Sequence, residues 1–354
     1  MSKWVRSRVS ILSKISGYEK PERYANATRL DTNENLALPK EFIVRIMNEA
    51  SGKTDPREYP TYQYDELRRA LARYLNLSER CISIGSGSDQ IIDLLLSIFN
   101  NNSSTITVKP SFTFYKDRCS LRSVKIKELS LNRYFSFNPK KLRLIEKGAR
   151  ICYLCSPNNP TGNQFDKQRM LDVISSFSGL VIVDEAYVEF ADYSLKDLVK
   201  KYENLVVLRT MSKAFGLAGA RVGYMVSSSK IADLFVKTIQ YPYPVGSLSL
   251  KAACIALSQF NYIKSVIKKV RNERNHVIDN INSINGLYAF RSDANFVLFE
   301  AGKRYQTFHR NLIKRGVVVR DIGNIGDHKG CLRVTIGTPK MNNKFLKTLK
   351  VVSR

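Results

Sequence analysis

Four polar runs carry the side chains most able to do chemistry, and each follows a short apolar stretch. In Gly85–Ser86–Gly87–Ser88–Asp89 the glycines allow close backbone approach, and the N–H groups opening a following helix suit a phosphate. The same run also reads as a common Gly-Ser turn. In Cys155–Ser156–Pro157–Asn158–Asn159–Pro160–Thr161–Gly162 two prolines fix the backbone and set the Asn amides as donors. A tight turn held by Asx bonding is the plainer account. Val181–Ile182–Val183–Asp184–Glu185–Ala186–Tyr187 ends an apolar strand in a carboxylate, which needs a positive partner if buried and is otherwise a helix cap. In the run from Thr210 to Gly223, Lys213 lies among hydroxyls and small residues, with Arg221 eight positions on. A partly desolvated lysine has a lowered pKa and can attack an aldehyde.

Cys152 and Cys155 form a C-x-x-C that could hold a metal or a redox pair. They sit in an apolar run that reads as a strand, where residues three apart point to opposite faces. With no second C-x-x-C and three histidines, buried thiols in a reducing compartment are the simpler expectation, and no metal is expected.

Such residues need a scaffold, and the chain is long enough for one. Its 354 residues suffice for about two domains with a substantial core. Hydrophobic residues at 44% and charged ones at 25% exclude a wholly disordered chain, a collagen-like repeat and a small disulfide scaffold. The longest stretches without Asp, Glu, Lys or Arg are 94–108 and 151–165; both contain Asn, Ser and Thr, so no membrane-spanning helix is expected. Lys and Arg number 57 against 31 Asp and Glu, a net charge of +26. A nucleic-acid binder would need those charges clustered, but they are spread along the chain, as on a solvated surface that steers anions. Residues 1–18 are basic without an acid and loosely resemble a transit peptide. An amphipathic arm packing on a neighbouring surface is the simpler expectation, in a cytoplasmic protein.

From about residue 63, helical patterns alternate with β-rich runs. Helices are expected at Asp65–Tyr74 and Asp89–Phe99. Strands are expected at Cys81–Ile84, Thr105–Val108, Val124–Glu128, Ile151–Cys155, Leu180–Val183, Leu205–Leu208 and Val222–Val226. The continuous apolar runs predict strands covered on both faces, hence a mostly parallel α/β sheet sandwiched by helices. After a long helix over Phe260–Ile284 the pattern predicts strands at Asn295–Phe299, Val317–Arg320 and Leu332–Ile336, with helices near Tyr305–Arg315 and after Pro339. The expected organisation is an arm and small-domain segment over 1–39, a large domain over 40–260 and a small α+β domain over 261–354. In such sheets ligands bind beyond the carboxyl ends of the strands.

Taken together, the polar runs resemble those of the pyridoxal-phosphate-dependent aminotransferases of the aspartate aminotransferase fold, and among these the histidinol-phosphate aminotransferase family. The resemblance covers nearly the whole chain: Leu30–Asp31–Thr32–Asn33–Glu34–Asn35, Arg57–Glu58–Tyr59–Pro60, the Gly-Ser run, Pro110–Ser111–Phe112, SPNNPTG, DEAY, TMSKAFGLAGARVGY and Leu332–Arg333–Val334–Thr335. It implies fold type I and pyridoxal 5'-phosphate, with Lys213 as the covalent and acid–base lysine. Asp184 would pair with the pyridine nitrogen, Asn159 and Tyr187 would bond the phenolic oxygen, and Phe112 would stack on the ring. Ser88, Asp89, Thr210, Ser212 and Arg221 would hold the phosphate, with Tyr59 reaching it from the other subunit of a homodimer. Arg333 and Arg320 would grip substrate anions.

The implied reaction is amino transfer between L-histidinol phosphate and 2-oxoglutarate in histidine biosynthesis. An aromatic amino-acid aminotransferase and a threonine-phosphate decarboxylase are the alternatives that keep the cofactor. A basic nucleic-acid-binding protein is the alternative that drops the chemistry; neither nucleic acid nor membrane is the expected partner. Leu36–Ala37–Leu38–Pro39 departs from the family's usual Pro-aromatic-Gly run, as do Ser86 and Gln90 from its Asn and acid.

Overall fold

The computed structural model describes residues 1–15, 24, 26–98 and 103–353. Among them run twelve strands: β1 (Thr28–Leu30), β2 (Ile82–Ser86), β3 (Ser104–Lys109), β4 (Lys125–Ser130), β5 (Ala149–Cys155), β6 (Leu180–Asp184), β7 (Leu205–Thr210), β8 (Val222–Ser227), β9 (Tyr288–Ala289), β10 (Phe296–Glu300), β11 (Val317–Ile325) and β12 (His328–Thr335). Seven of them form one sheet in the order β2-β8-β7-β6-β5-β3-β4. The pairs from β7 through β4 are all parallel, and β8 runs against both of its neighbours. The expected mostly parallel α/β sheet is therefore present.

Its inner strands are apolar throughout because both faces are covered. Val181, Val183, Leu205 and Val207 pack into one buried cluster, and Ile182, Val206 and Leu208 into another across the sheet. Cys152 and Cys155 divide between the same two clusters, as the two-residue strand period requires. Helices cover these faces with spaced apolar residues. The helix Tyr62–Leu75 buries Leu67, Leu71 and Leu75, and the helix Gly87–Ser97 buries Ile91, Leu94 and Leu95. Phe99, the expected end of the second helix, lies outside the described residues.

The remaining strands form a five-stranded sheet, β1-β11-β12-β10-β9. β1 pairs in parallel with β11, Thr28 opposite Val317, so the N-terminal segment joins the C-terminal sheet. The helix Phe260–Asn282 turns Ile263, Val266, Ile267, Val270, Val277 and Ile281 inward against β9, β10 and the helix Pro339–Val352. β11 and β12 are longer than their apolar runs, which stop at Arg320 and start at Leu332. They continue through polar residues as a hairpin whose register shifts twice, between Asp321 and Gly323 and between Gly323 and Ile325.

The basic N-terminal segment forms the helix Lys3–Leu12, but none of its residues is buried. Residues 16–18 of that segment lie outside the described residues. No helix among the described residues is long and apolar enough to cross a membrane.

Candidate active site

One cavity of about 1210 Å³ opens at the carboxyl ends of the parallel strands and reaches the β11–β12 hairpin. Ser88, Asp89, Phe112, Asn159, Asp184, Tyr187, Thr210, Ser212, Lys213, Arg221, Arg320 and Arg333 all line it. Tyr59 does not. It is 74% exposed and stacks on Tyr243 with ring centroids 4.8 Å apart.

Asp184 ends β6 and is buried. Its carboxylate accepts from the Tyr153 hydroxyl at 2.7 Å and the Ala186 N–H at 3.0 Å. No cationic side chain among the described residues is ion-paired with it, so the positive partner that a buried carboxylate needs does not come from those residues. Burial pushes its pKa up to about 6, against those two hydrogen bonds. Lys213 follows β7 in a turn, with Nζ donating to the Thr32 carbonyl at 3.1 Å and lying 5.6 Å from the Tyr187 ring centre. Desolvation, helped by the charge of Arg333, lowers its pKa to about 8.

Beside them is an anion-friendly corner. Gly87 has φ +73, and a Cβ there would lie 2.6 Å from Arg221 Nη2. A Cβ on Gly223 would lie 2.3 Å from the Gly87 carbonyl carbon. These two glycines let the N-terminus of the helix Gly87–Ser97 sit directly on β8. Arg221 meets the Asp89 carboxylate at 3.0 Å, while the Thr210 and Ser212 hydroxyls lie 3.0 Å apart. Backbone N–H groups, two hydroxyls and a guanidinium make a donor set for a phosphate.

Opposite this corner, Arg333 on β12 donates to the Asp31 carbonyl at 2.9 Å and to the Asn159 amide oxygen. Arg320 is its direct cross-strand partner on β11, so both side chains leave the same face of the sheet.

Several residues of the site were given no role by sequence reasoning. Thr32, Asn33 and Glu34 line the cavity; Asn33 donates to the Tyr187 hydroxyl at 3.1 Å, and Asn35 to the Ala214 carbonyl at 2.8 Å. Their signal is an unbroken polar run, Asp31–Asn35, directly after the buried Leu30. Tyr153 supports Asp184, and its signal is a polar-tipped side chain within an aliphatic strand.

A family model for aminotransferase class I and II matches residues 25–349. The chain belongs to this aminotransferase family. Within it, the chain is similar to histidinol-phosphate aminotransferases. It is 33% identical over 328 residues to that of Caldanaerobacter subterraneus subsp. tengcongensis, covering 92% of each chain. With that of Pyrococcus furiosus it shares 35% over 322 residues, covering 91% of each. The Sinorhizobium meliloti histidinol-phosphate aminotransferase, solved in complex with pyridoxal-5'-phosphate, has the same fold: TM-score 0.85 at 24% identity, covering 97% of this chain and 96% of that one.

Proposed function

We propose that the chain transfers an amino group between L-histidinol phosphate and 2-oxoglutarate, giving imidazole acetol phosphate and L-glutamate, with pyridoxal 5'-phosphate as cofactor. The observation that carries this is one cavity holding a desolvated lysine, a buried carboxyl without a cation and two cross-strand arginines. The residues present fit the cofactor. A buried carboxyl that lacks a cation matches a protonated ring nitrogen, and the corner at Gly87 matches a phosphate. Bound there, pyridoxal phosphate supplies the aldehyde that takes up the amino group and a ring that accepts the electron pair left at the substrate Cα.

Lys213 would hold the cofactor covalently, and its Nζ would move the proton on and off substrate Cα. A lysine with a pKa of about 8 has a useful share of neutral amine near neutral pH. Asp184 keeps positive charge on the ring nitrogen, and Tyr153 holds that carboxylate in place. Asn159 and Tyr187 would orient the ring through its phenolic oxygen, and Phe112 would cover its face. Ser88, Asp89, Thr210, Ser212 and Arg221 bind the phosphate. Like charges directly across a strand pair destabilise a sheet, so Arg320 and Arg333 fit a site that takes anions. Forked donors suit both a phosphate monoester and a carboxylate. The names of the two relatives above 30% identity support this substrate over a decarboxylase or an aromatic amino-acid aminotransferase.

The same proposal includes a cytoplasmic homodimer in which Tyr59 reaches the partner's phosphate site, with domain boundaries near residues 39 and 260. The test is glutamate formation from L-histidinol phosphate and 2-oxoglutarate, together with borohydride reduction and peptide mapping. Reduced label on Lys213 is expected. Label on another lysine, or no bound cofactor, sinks the assignment; a fully active monomer at assay concentration removes Tyr59 from the site.

A further inference from the structure

The cavity extends past the groups that transfer uses. Its outer wall is built by Ser130, which ends β4, by Leu131, Asn132, Arg133 and Phe135 after it, and by the hairpin of β11 and β12. The first belongs to the seven-stranded sheet and the second to the five-stranded one, so the shape of the wall depends on the seam between them.

One imidazole crosses that seam. His328 opens β12, with Nδ1 3.0 Å from Glu300 Oε2 on β10 and Nε2 2.9 Å from the Arg133 carbonyl oxygen. A carboxylate and a carbonyl oxygen accept, so the imidazole is the donor in each bond it forms with them. Glu300 is itself fixed, because its Oε1 accepts from the Lys329 N–H at 2.8 Å. The imidazole is packed against Phe135 and Phe290, with ring centroids 5.0 and 4.7 Å away. Phe135 and Phe290 in turn share a buried cluster with Leu298, Ile325 and Cys331. The Phe135 side of the seam is a constructed turn. Asn132 Oδ1 accepts from the Tyr134 and Ser136 N–H groups at 2.9 Å each, and Phe135 is held at φ +55, rare for a bulky side chain.

Resting on the function proposed above, we infer that His328 is a positioning residue for the amino donor. It clamps the β11–β12 hairpin, which begins at Arg320 and carries the two register shifts, to the turn at Phe135. The clamp fixes the wall on which the ring-bearing arm of the phosphate-ester donor rests. Glutamate has no ring to rest on that wall. His328 lines the cavity at this outer wall, away from the groups assigned to the cofactor and the proton transfer, so its loss changes recognition of one donor rather than the chemical step.

His328→Phe tests this because it keeps ring packing between Phe135 and Phe290 and removes both hydrogen bonds. The expected result is a KM for L-histidinol phosphate raised about tenfold, with kcat and the glutamate half-reaction within about twofold of wild type. Equal changes with both donors, or no change with either, overturn the inference. Glu300→Gln should shift the same KM in the same direction by a smaller factor, and it decides the matter if His328→Phe does not fold. Should wild-type protein transfer no amino group from either donor, the proposed function fails while the clamp stays testable by amide hydrogen exchange over residues 322–328. Faster exchange there in His328→Phe supports the clamp, and unchanged exchange overturns it.

Discussion

The ends of β6 and β7 place charges on both faces of one sheet, and the two faces treat them in opposite ways. Asp184 and Glu185 are neighbours in sequence, as are Arg209 and Thr210, and the strand period sends each pair to opposite sides. On the side away from the cavity, buried Arg209 donates to Glu185 Oε2 and Glu189 Oε1, both at 2.9 Å, and to Ser194 Oγ at 2.8 Å. Glu185 also accepts from the Leu195 N–H at 2.6 Å. Opposite charges there are met within the chain. On the cavity side, Asp184 has two neutral donors and Lys213 a backbone carbonyl. A desolvated charge without a counter-charge is costly unless something brings one. Matched burial thus marks the frame, and unmatched burial marks where a ligand belongs.

The largest effect should come from breaking the matched side. Arg209→Met leaves Glu185 and Glu189 buried without their cation, which costs about 3–5 kcal/mol. Thermal or urea unfolding should record that loss. A stability within about 0.5 kcal/mol of wild type would show that the far face is not held by this network.

The unmatched side should respond with the opposite sign. Asp184 has a folded pKa of about 6 against 3.8 when unperturbed, so the folded state binds the extra proton between those values. Stability of the cofactor-free protein therefore falls as pH rises from 3.8 to about 6, and the full penalty is present above that range. Asp184→Asn removes the penalty and should stabilise cofactor-free protein at pH 7 by about 1–3 kcal/mol, with no gain from this group at pH 3.5. The Tyr153 hydroxyl can accept from the new amide, so both hydrogen bonds survive. Amino transfer should fall about 10²–10³-fold in the same variant, because a neutral amide cannot hold positive charge on the ring. Melting curves of cofactor-free protein against pH, beside single-turnover rates, check both halves. Lower stability at pH 7 would place Asp184 with the matched charges.

This asymmetry was only half legible in the sequence. The two-residue period separates Cys152 from Cys155, and the same rule separates Asp184 from Glu185. Which carboxylate finds a cation is not local, because Arg209 comes from the next strand. The apolar runs of β5, β6 and β7 were plain because both faces of those strands are buried. The hairpin beyond Arg320 was hidden because Asp321, Asn324 and Asp327 read as loop residues while the backbone continues to pair. The motifs placed twelve site residues around one cavity, since the carboxyl ends of parallel strands share one edge of the sheet. Tyr59 stands outside that cavity, exposed and stacked on Tyr243.

The smallest effects should come from the second sheet, where a like-charged pair lies cross-strand. Arg333 bridges the Asp31 carbonyl and the Asn159 amide oxygen, and its planar fork can present further N–H groups to a substrate anion. Arg333→Lys keeps the charge but loses the fork, so kcat/KM should fall for both half-reactions. Losing one charge-assisted contact is worth roughly 1.5–3 kcal/mol, or about one to two powers of ten. Arg320 is half-buried and has no ion pair among the described residues, so it depends less on its protein neighbours. Arg320→Ala should therefore act through substrate alone, and more on L-histidinol phosphate than on glutamate, because a phosphate monoester carries more charge to a single point than a carboxylate does. It also relieves like-charge crowding opposite Arg333, so stability should hold or rise slightly. Near-wild-type rates with both donors in Arg320→Ala would take Arg320 out of the site, leave Arg333 as the anion-binding arginine, and favour an aminotransferase of broader range.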